Sequence, residues 1–170
     1  MASPSIALAY RRSALMNATK VTAKPPTEDV LRARDSFIDF CTAMRKPPAK
    51  HMLEWHNELC TGQDSECLMG IAGPNTAILA PRGSAKSTVL GLFAAWMIGR
   101  HAAAKQMLRI LYIAYMVDIS RAKSATIKGI LTSNKYREIF PMVRLSKIKR
   151  SDEYWSIDYD FAGIDTAGEE

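Results

Sequence analysis

The chain has 170 residues, 48% of them apolar, and its 23 Lys and Arg outnumber its 17 Asp and Glu to give a net charge of +6. This is the length of one ordinary domain able to bury a core, and no apolar run reaches the ~20 residues that a membrane-spanning helix needs. Seven of the 17 acids, and no Lys or Arg, lie in residues 151–170, which leaves residues 1–150 with all 23 basic residues against ten acids; such an excess suits a polyanionic partner rather than a membrane.

Residues 1–26 hold no acid, and Arg11, Arg12, Lys20 and Lys24 lie among Ser, Ala and Thr. An organelle transit peptide and a disordered basic arm of a nucleic-acid-binding protein share this composition, and we read it as the arm. "IALAY" is too short an apolar core for a secretory leader, and no positive charge precedes it. The odd number of cysteines, Cys41, Cys60 and Cys67, suits a reducing compartment. His51 and His56 lie near two of them, but the spacing fits no common zinc pattern.

Residues 27–62 read as helical. Thr27 is the expected N-cap of a first helix, with Val30, Leu31, Phe37, Ile38, Cys41 and Met44 on one face. Pro47-Pro48 stops it, and a second helix is expected from about Lys50 to Cys60, with Gly62 beyond its end. Trp55, at helical spacing from Met52 and Leu59, fits a core position as well as a ligand contact. Residues 61–75, with Gly62, Gly70, Gly73 and Pro74, read as a loop.

The pattern changes at Thr76. "TAILA", 76–80, is a continuous apolar run of the kind a strand buried on both faces shows. Residues 86–98 are apolar nearly all round, which predicts a buried helix ended by Gly99, with His101 as a charge at its C-terminus. "RILYIAY", 109–115, reads as a second buried strand. Asp118 is the expected cap of a third helix carrying Ile119, Ala122, Thr126, Ile127, Ile130 and Leu131 on one side. Strand, helix, strand, helix predicts a right-handed parallel α/β unit over residues 63–170.

The turn between the first strand and its helix is "APRGSAKST", Ala80 to Thr88. A phosphate-binding loop, G-x-x-x-x-G-K-[ST], aims backbone N–H groups and a helix dipole at an anion. Here Ala80 and Ala85 stand at the two glycine positions, ahead of Lys86 and Ser87. Alanine adds only a methyl and is compatible with such a loop if its φ is negative. Lys86 is then placed to reach β- and γ-phosphates, Ser87 to bind Mg²⁺, and Arg82 to stabilise charge on a transferred phosphoryl group. The competing reading is a tight turn whose lysine points into solvent.

Together, "APRGSAKST", the apolar helix and "LYIAYMVDISRAKSATIKGIL" resemble the ATPase domain of large terminase subunits of tailed phages, over roughly residues 50–140. The resemblance implies a P-loop NTPase-like parallel sheet flanked by helices, with a helical N-terminal region. It implies ATP and Mg²⁺ held by Pro81, Arg82, Gly83, Ser84, Ala85, Lys86, Ser87 and Thr88, with Arg82 and Lys86 catalytic and Ser87 the metal contact. "EWHNEL", 54–59, is similar to the family's adenine-contacting segment, which implies nucleotide contacts from Trp55 and His56, although His56 stands where the family has Gln. Double-stranded DNA, a portal, a small terminase subunit and a homo-oligomeric ring are the implied partners. The implied location is the host cytoplasm and, transiently, the procapsid portal.

Such an ATPase also needs an apolar strand ending in Asp and Glu. The nearest segment is "YWSIDYDF", 154–161, containing Asp158, but its strict alternation predicts a strand exposed on one face, as in a hairpin at a sheet edge. We therefore expect residues 63–170 to be a partial ATPase domain, without its acid-bearing strand or any nuclease domain, that does not turn over ATP alone. Two alternatives remain: a DNA-binding or assembly adaptor with a degenerate loop, and a small-molecule kinase of the phosphate-loop class. For the motor, Arg121, Lys123, Lys128, Lys135, Arg137, Arg144, Lys147, Lys149 and Arg150 are candidate DNA-backbone contacts, or an ordinary solvated face, whereas the adaptor would be held by its basic arm.

Overall fold

A computed structural model describes residues 26–60 and 78–159; the basic N-terminal arm, the segment 61–77 and residues 160–170 lie outside the described residues. Helix α1, Glu28–Asp35, carries Glu28 and Asp29 in its first turn, where they complement the helix dipole. At Ser36 the chain turns extended (φ −113°, ψ 123°), and the Ser36 hydroxyl accepts the Asp39 N–H at 3.2 Å, starting a separate helix α2, Phe37–Ala43. The single helix expected from periodicity is thus two, because a serine side chain that caps offers the backbone a better ending than continuation.

Helix α2 closes with Arg45 in the left-handed region (φ 57°), bonding Arg45 N–H to Thr42 O and Lys46 N–H to Cys41 O at 2.9 and 2.8 Å. These two bonds form a Schellman ending. After Pro47-Pro48, a 3₁₀ turn (Lys50–Met52) leads into α3, Leu53–Cys60.

The longest helix, α4, spans Lys86–Ala103, and Val89, Leu92, Ala95, Trp96, Met97, Ile98 and Ala102 are buried along it. It ends in a second Schellman motif with Lys105 at φ 54°, donating to Ala102 O, and Gln106 donating to His101 O. Gly99 therefore does not end the helix. It lies inside it, and a Cβ there would overlap Cγ and Cδ2 of Phe140. His101 is a core residue as well, only 8% exposed. Burial first, and then the Arg100 charge, hold its pKa below the ordinary imidazole value, which favours the neutral ring rather than a helix-end cation.

Helix α5, Val117–Thr132, begins from an extended Met116, with Asp118 in its first turn 3.7 Å from Arg121 rather than at the cap. Ser133 separates it from α6, Asn134–Ile139, whose Tyr136 N–H its hydroxyl accepts. Strands β1, Val143–Arg150, and β2, Trp155–Tyr159, pair antiparallel with Val143 opposite Tyr159 and Leu145 opposite Ile157, and the register slips before Arg150 pairs with Trp155. This is the hairpin that the alternation of 154–161 predicts. It docks on α5 through Trp155 Nε1–H to Ser124 Oγ (2.8 Å), Arg121 to Glu153 (2.6 Å) and Lys128 to Asp152 (2.8 Å).

Two aromatic groups join the layers. Phe37 meets Phe93 and Trp96 at 5.3 and 5.5 Å, and Phe40 meets Tyr136 and Phe140, both at 6.1 Å. Buried ring polar groups are satisfied by helix carbonyls: Trp96 Nε1–H donates to Ala33 O, and Tyr136 O–H to Ala95 O.

The parallel sheet is a correction. Among the described residues the only sheet is the antiparallel β1–β2 pair, so a P-loop NTPase-like parallel sheet flanked by helices is not this architecture. Residues 78–80 and 106–114 are in no ladder, and Leu79, Leu111, Ile113 and Tyr115 are 97%, 83%, 80% and 88% exposed. A continuous apolar run marks a buried parallel strand only where neighbouring strands and covering helices complete the layers. Among the described residues no strand lies alongside either run.

Gly99→Ala is expected to lower the unfolding free energy by up to about 2 kcal/mol. Forcing Phe140 aside costs about 1–3 kcal/mol, against a helix-propensity gain of about 1 kcal/mol. A denaturant melt that shows stabilisation would contradict the close approach.

Candidate functional site

The turn before α4 is shaped by its own side chains. Arg82 and Gly83 form the bend, with Gly83 at φ 83°, and Ser84 Oγ donates to Pro81 O at 2.8 Å. The lysine does not point into solvent. Lys86 Nζ folds back across the turn and donates to Ala80 O at 2.8 Å and Pro81 O at 3.2 Å. Its charge is thereby held over the mouth of the loop by neutral acceptors.

Ala85, just before the lysine, sits at φ 57°, ψ 16°. The negative φ that would make alanine a comfortable replacement for glycine is absent, and the residue adopts the left-handed conformation that glycine accommodates best. Its carbonyl starts the helix, accepting from Thr88 and Val89 N–H at 2.9 and 3.0 Å. Its methyl cannot cap, so the N–H groups of Lys86 and Ser87 have no partner among the described residues. Residues 80–88 contain no acid, and Arg82 is exposed beside them with no ion pair among the described residues. Amides without a partner among the described residues, the positive end of an 18-residue helix and the Lys86 ammonium thus meet at one bend that also carries Arg82.

Ser87 is half-buried and reaches the side of a small cavity with Leu90, Tyr112 and Lys123. For Mg²⁺ the turn offers only hydroxyls, with Ser87 the one at the expected position, and no group of three or more His, Cys, Asp or Glu that could hold a metal occurs among the described residues. This fits Mg²⁺ only in the form that binds mainly to phosphate oxygens and water.

His56 has a different environment from the one the resemblance implies. It is 1% exposed and stacks on Phe37 at 4.7 Å. Its Nδ1 lies 2.6 Å from Met52 O and its Nε2 3.6 Å from Cys41 Sγ. A carbonyl only accepts, so Nδ1 carries the proton and Nε2 accepts from the thiol. Both polar edges are used inside the core, which leaves neither to read a base. Trp55 is half-buried and meets His51 edge-on at 5.8 Å. A cavity of about 100 Å³, lined by Cys41, Pro47, Met52, His56, Ala85 and Thr88, does lie between α3 and the turn. It is well below the ~300 Å³ at which small-molecule sites begin.

Asp158 is exposed on β2, opposite Arg144. It belongs to the hairpin, and no strand beside the turn presents it to a phosphate. The candidate DNA-contacting residues divide. Arg121 and Lys128 are occupied by the hairpin acids Glu153 and Asp152, Lys135 pairs with Glu138 at 3.0 Å, and Arg144 donates to Pro141 O and Val143 O. The Lys128 ammonium holds the Asp152 carboxyl below its ordinary pKa. Lys147 and Lys149 are exposed on the hairpin, with Lys149 5.5 Å from the Tyr154 ring. Nothing in the spacing of the sequence announced these hairpin–helix pairs.

No protein family, curated protein or solved structure matches this chain.

Ala85→Gly is expected to raise the unfolding free energy by roughly 0.5–1 kcal/mol. Relief of the left-handed alanine, about 1–2 kcal/mol, exceeds the added chain entropy of glycine. An unchanged or lower denaturant midpoint would show that the turn relaxes to negative φ at this residue.

Proposed function

We propose that the turn Ala80–Thr88 binds the phosphates of ATP, and that the chain is the ATP-binding portion of a viral DNA-packaging motor of the large-terminase kind. The carrying observation is the start of α4, where the Lys86 and Ser87 N–H groups have no partner among the described residues and the Lys86 ammonium rests on neutral carbonyls. A phosphate oxygen is a stronger acceptor than either carbonyl, because both partners of that bond are charged. Lys86 would exchange Ala80 O and Pro81 O for phosphate, while the amides close on the same group. Arg82 would stabilise charge on the terminal phosphoryl group, and Ser87 would complete the shell of Mg²⁺.

The motor itself, its double-stranded DNA, portal, small-subunit partner and ring come from the motif resemblance, and the loop geometry bears on ATP alone. The described residues lack the parallel sheet of such motors, so the reading rests on the turn and helix. One observation favours the adaptor reading: a lysine bonded to two carbonyls of its own turn also serves as a structural tie.

Calorimetry with Mg²⁺-ATP distinguishes the two. The intact chain is expected to bind, and Lys86→Ala to bind at least ~10-fold more weakly, the loss of one charge-assisted contact worth about 1.5–3 kcal/mol, with its helical circular dichroism unchanged. No heat of binding from the intact chain, or equal binding by the variant, would contradict the proposal. Salt-dependent DNA binding that ignores both ATP and Lys86→Ala would support the adaptor.

A further inference from the structure

The turn before α4 has a second helix beside it. Three contacts run along one face of α4 at one-turn intervals. Ile127 Cγ1 lies 4.0 Å from where a Cβ on Gly91 would stand, the Tyr136 hydroxyl donates to Ala95 O, and the Phe140 ring meets Gly99. The partner numbers rise with the α4 numbers, so the chain from α5 onward follows α4 in the same direction. One turn back from Gly91 is Ser87, and one turn back from Ile127 is Lys123. Both line the same small cavity, together with Tyr112, and no carboxylate lines it.

Charge divides α5 in the same way. Arg121 and Lys128, seven residues apart and so on one face, are held by the hairpin acids Glu153 and Asp152 at 2.6 and 2.8 Å. Lys123 lies about 200° round the helix from Arg121, on the face that meets α4. Its helical neighbours Ile119, Ser120, Thr126 and Ile127 carry no charge to balance it. Lys123 is half-buried, and a partly desolvated charge with no opposite charge on its own face is stabilised by an anion brought to its end.

We propose that Lys123 is a further phosphate-binding residue, whose ammonium contacts the same anion as the turn Ala80–Thr88, on the side of Ser87. This role rests on the turn being a phosphate site, and it moves Lys123 from the candidate DNA contacts to the nucleotide. An ammonium on a flexible four-carbon stem can swing to a phosphate oxygen that the turn leaves uncovered. Lys86 approaches the anion from within the turn and Lys123 from α5, so a bound triphosphate bridges the two helices.

Calorimetry with Mg²⁺-ATP on the full chain tests the proposal. Lys123→Met keeps the unbranched stem and removes the charge, whereas Lys123→Arg keeps the charge. The intact chain is expected to bind, and Lys123→Met to bind at least ~10-fold more weakly with unchanged helical circular dichroism. Lys123→Arg is expected to recover most of that loss. In the intact chain, saturating Mg²⁺-ATP is expected to slow acetylation of the Lys123 amine by acetic anhydride, a readout that needs no variant. Equal binding by Lys123→Met, an equally weak Lys123→Arg, or a Lys123 amine that ATP leaves unprotected would overturn the role of Lys123 while the turn remains a phosphate site. So would a Lys123→Met that loses DNA binding and keeps that of ATP. No binding by the intact chain would overturn both.

Discussion

Everything described here hangs on the burial of α4. Its Trp96 is 1% exposed, packed against Phe37 and Phe93, and its indole N–H closes on Ala33 O of α1. One turn away, the missing side chain of Gly99 admits the Phe140 ring directly onto the helix backbone. The Ala95 carbonyl, next to Trp96, accepts the Tyr136 hydroxyl. A helix gripped in this way on several sides cannot shift along its axis without breaking buried hydrogen bonds, each an expensive group to leave unsatisfied. Truncating a buried Trp of this kind typically costs about 3–5 kcal/mol, a large part of a domain's stability.

That rigidity is what gives the preceding turn a fixed geometry. The core holds α4 from Val89 onward, so its first amides are presented at a constant place although the bend before them is exposed. The bend adds its own constraints: the Ser84 hydroxyl on Pro81 O, the Lys86 ammonium on Ala80 O and Pro81 O, and left-handed residues at positions 83 and 85. Two extended apolar segments, 78–80 and 106–114, flank the same helix and are in no ladder among the described residues.

Much of this was legible in the residues. The all-round apolar helix from Lys86, the core positions Ile127 and Leu131 of α5 and a strand within 154–161 follow from periodicity. So did the spacing of the loop, its lysine and its serine. By contrast, α2 ends at Ala43, ahead of Pro47-Pro48, and Ala122 and Thr126 of the expected α5 face are exposed. Other features depend on contacts that spacing does not encode. Ser36 looks like a polar residue on a helix and is instead a cap. Gly99 looks like a terminator and is a packing contact, while the real endings use Arg45 and Lys105 in conformations normally filled by glycine. His56 faces Cys41, fifteen residues away, so its core role follows only once α2 and α3 fold together. The parallel sheet failed for a related reason: "AILA" and "RILYIAY" have strand character, but that character produces a sheet only when another strand lies alongside.

The proposed anion receptor is the set of amides at the start of α4. Backbone amide chemical shifts during titration of ¹⁵N-labelled chain with Mg²⁺-ATP test it at the atoms concerned. Saturable shifts are expected, largest at Gly83, Lys86 and Ser87, with the core amides of α4 from Leu92 onward unmoved. Those three amides staying in place while Lys147, Lys149 or the N-terminal arm respond would contradict it, and would mark the bend as only the tie that starts a helix.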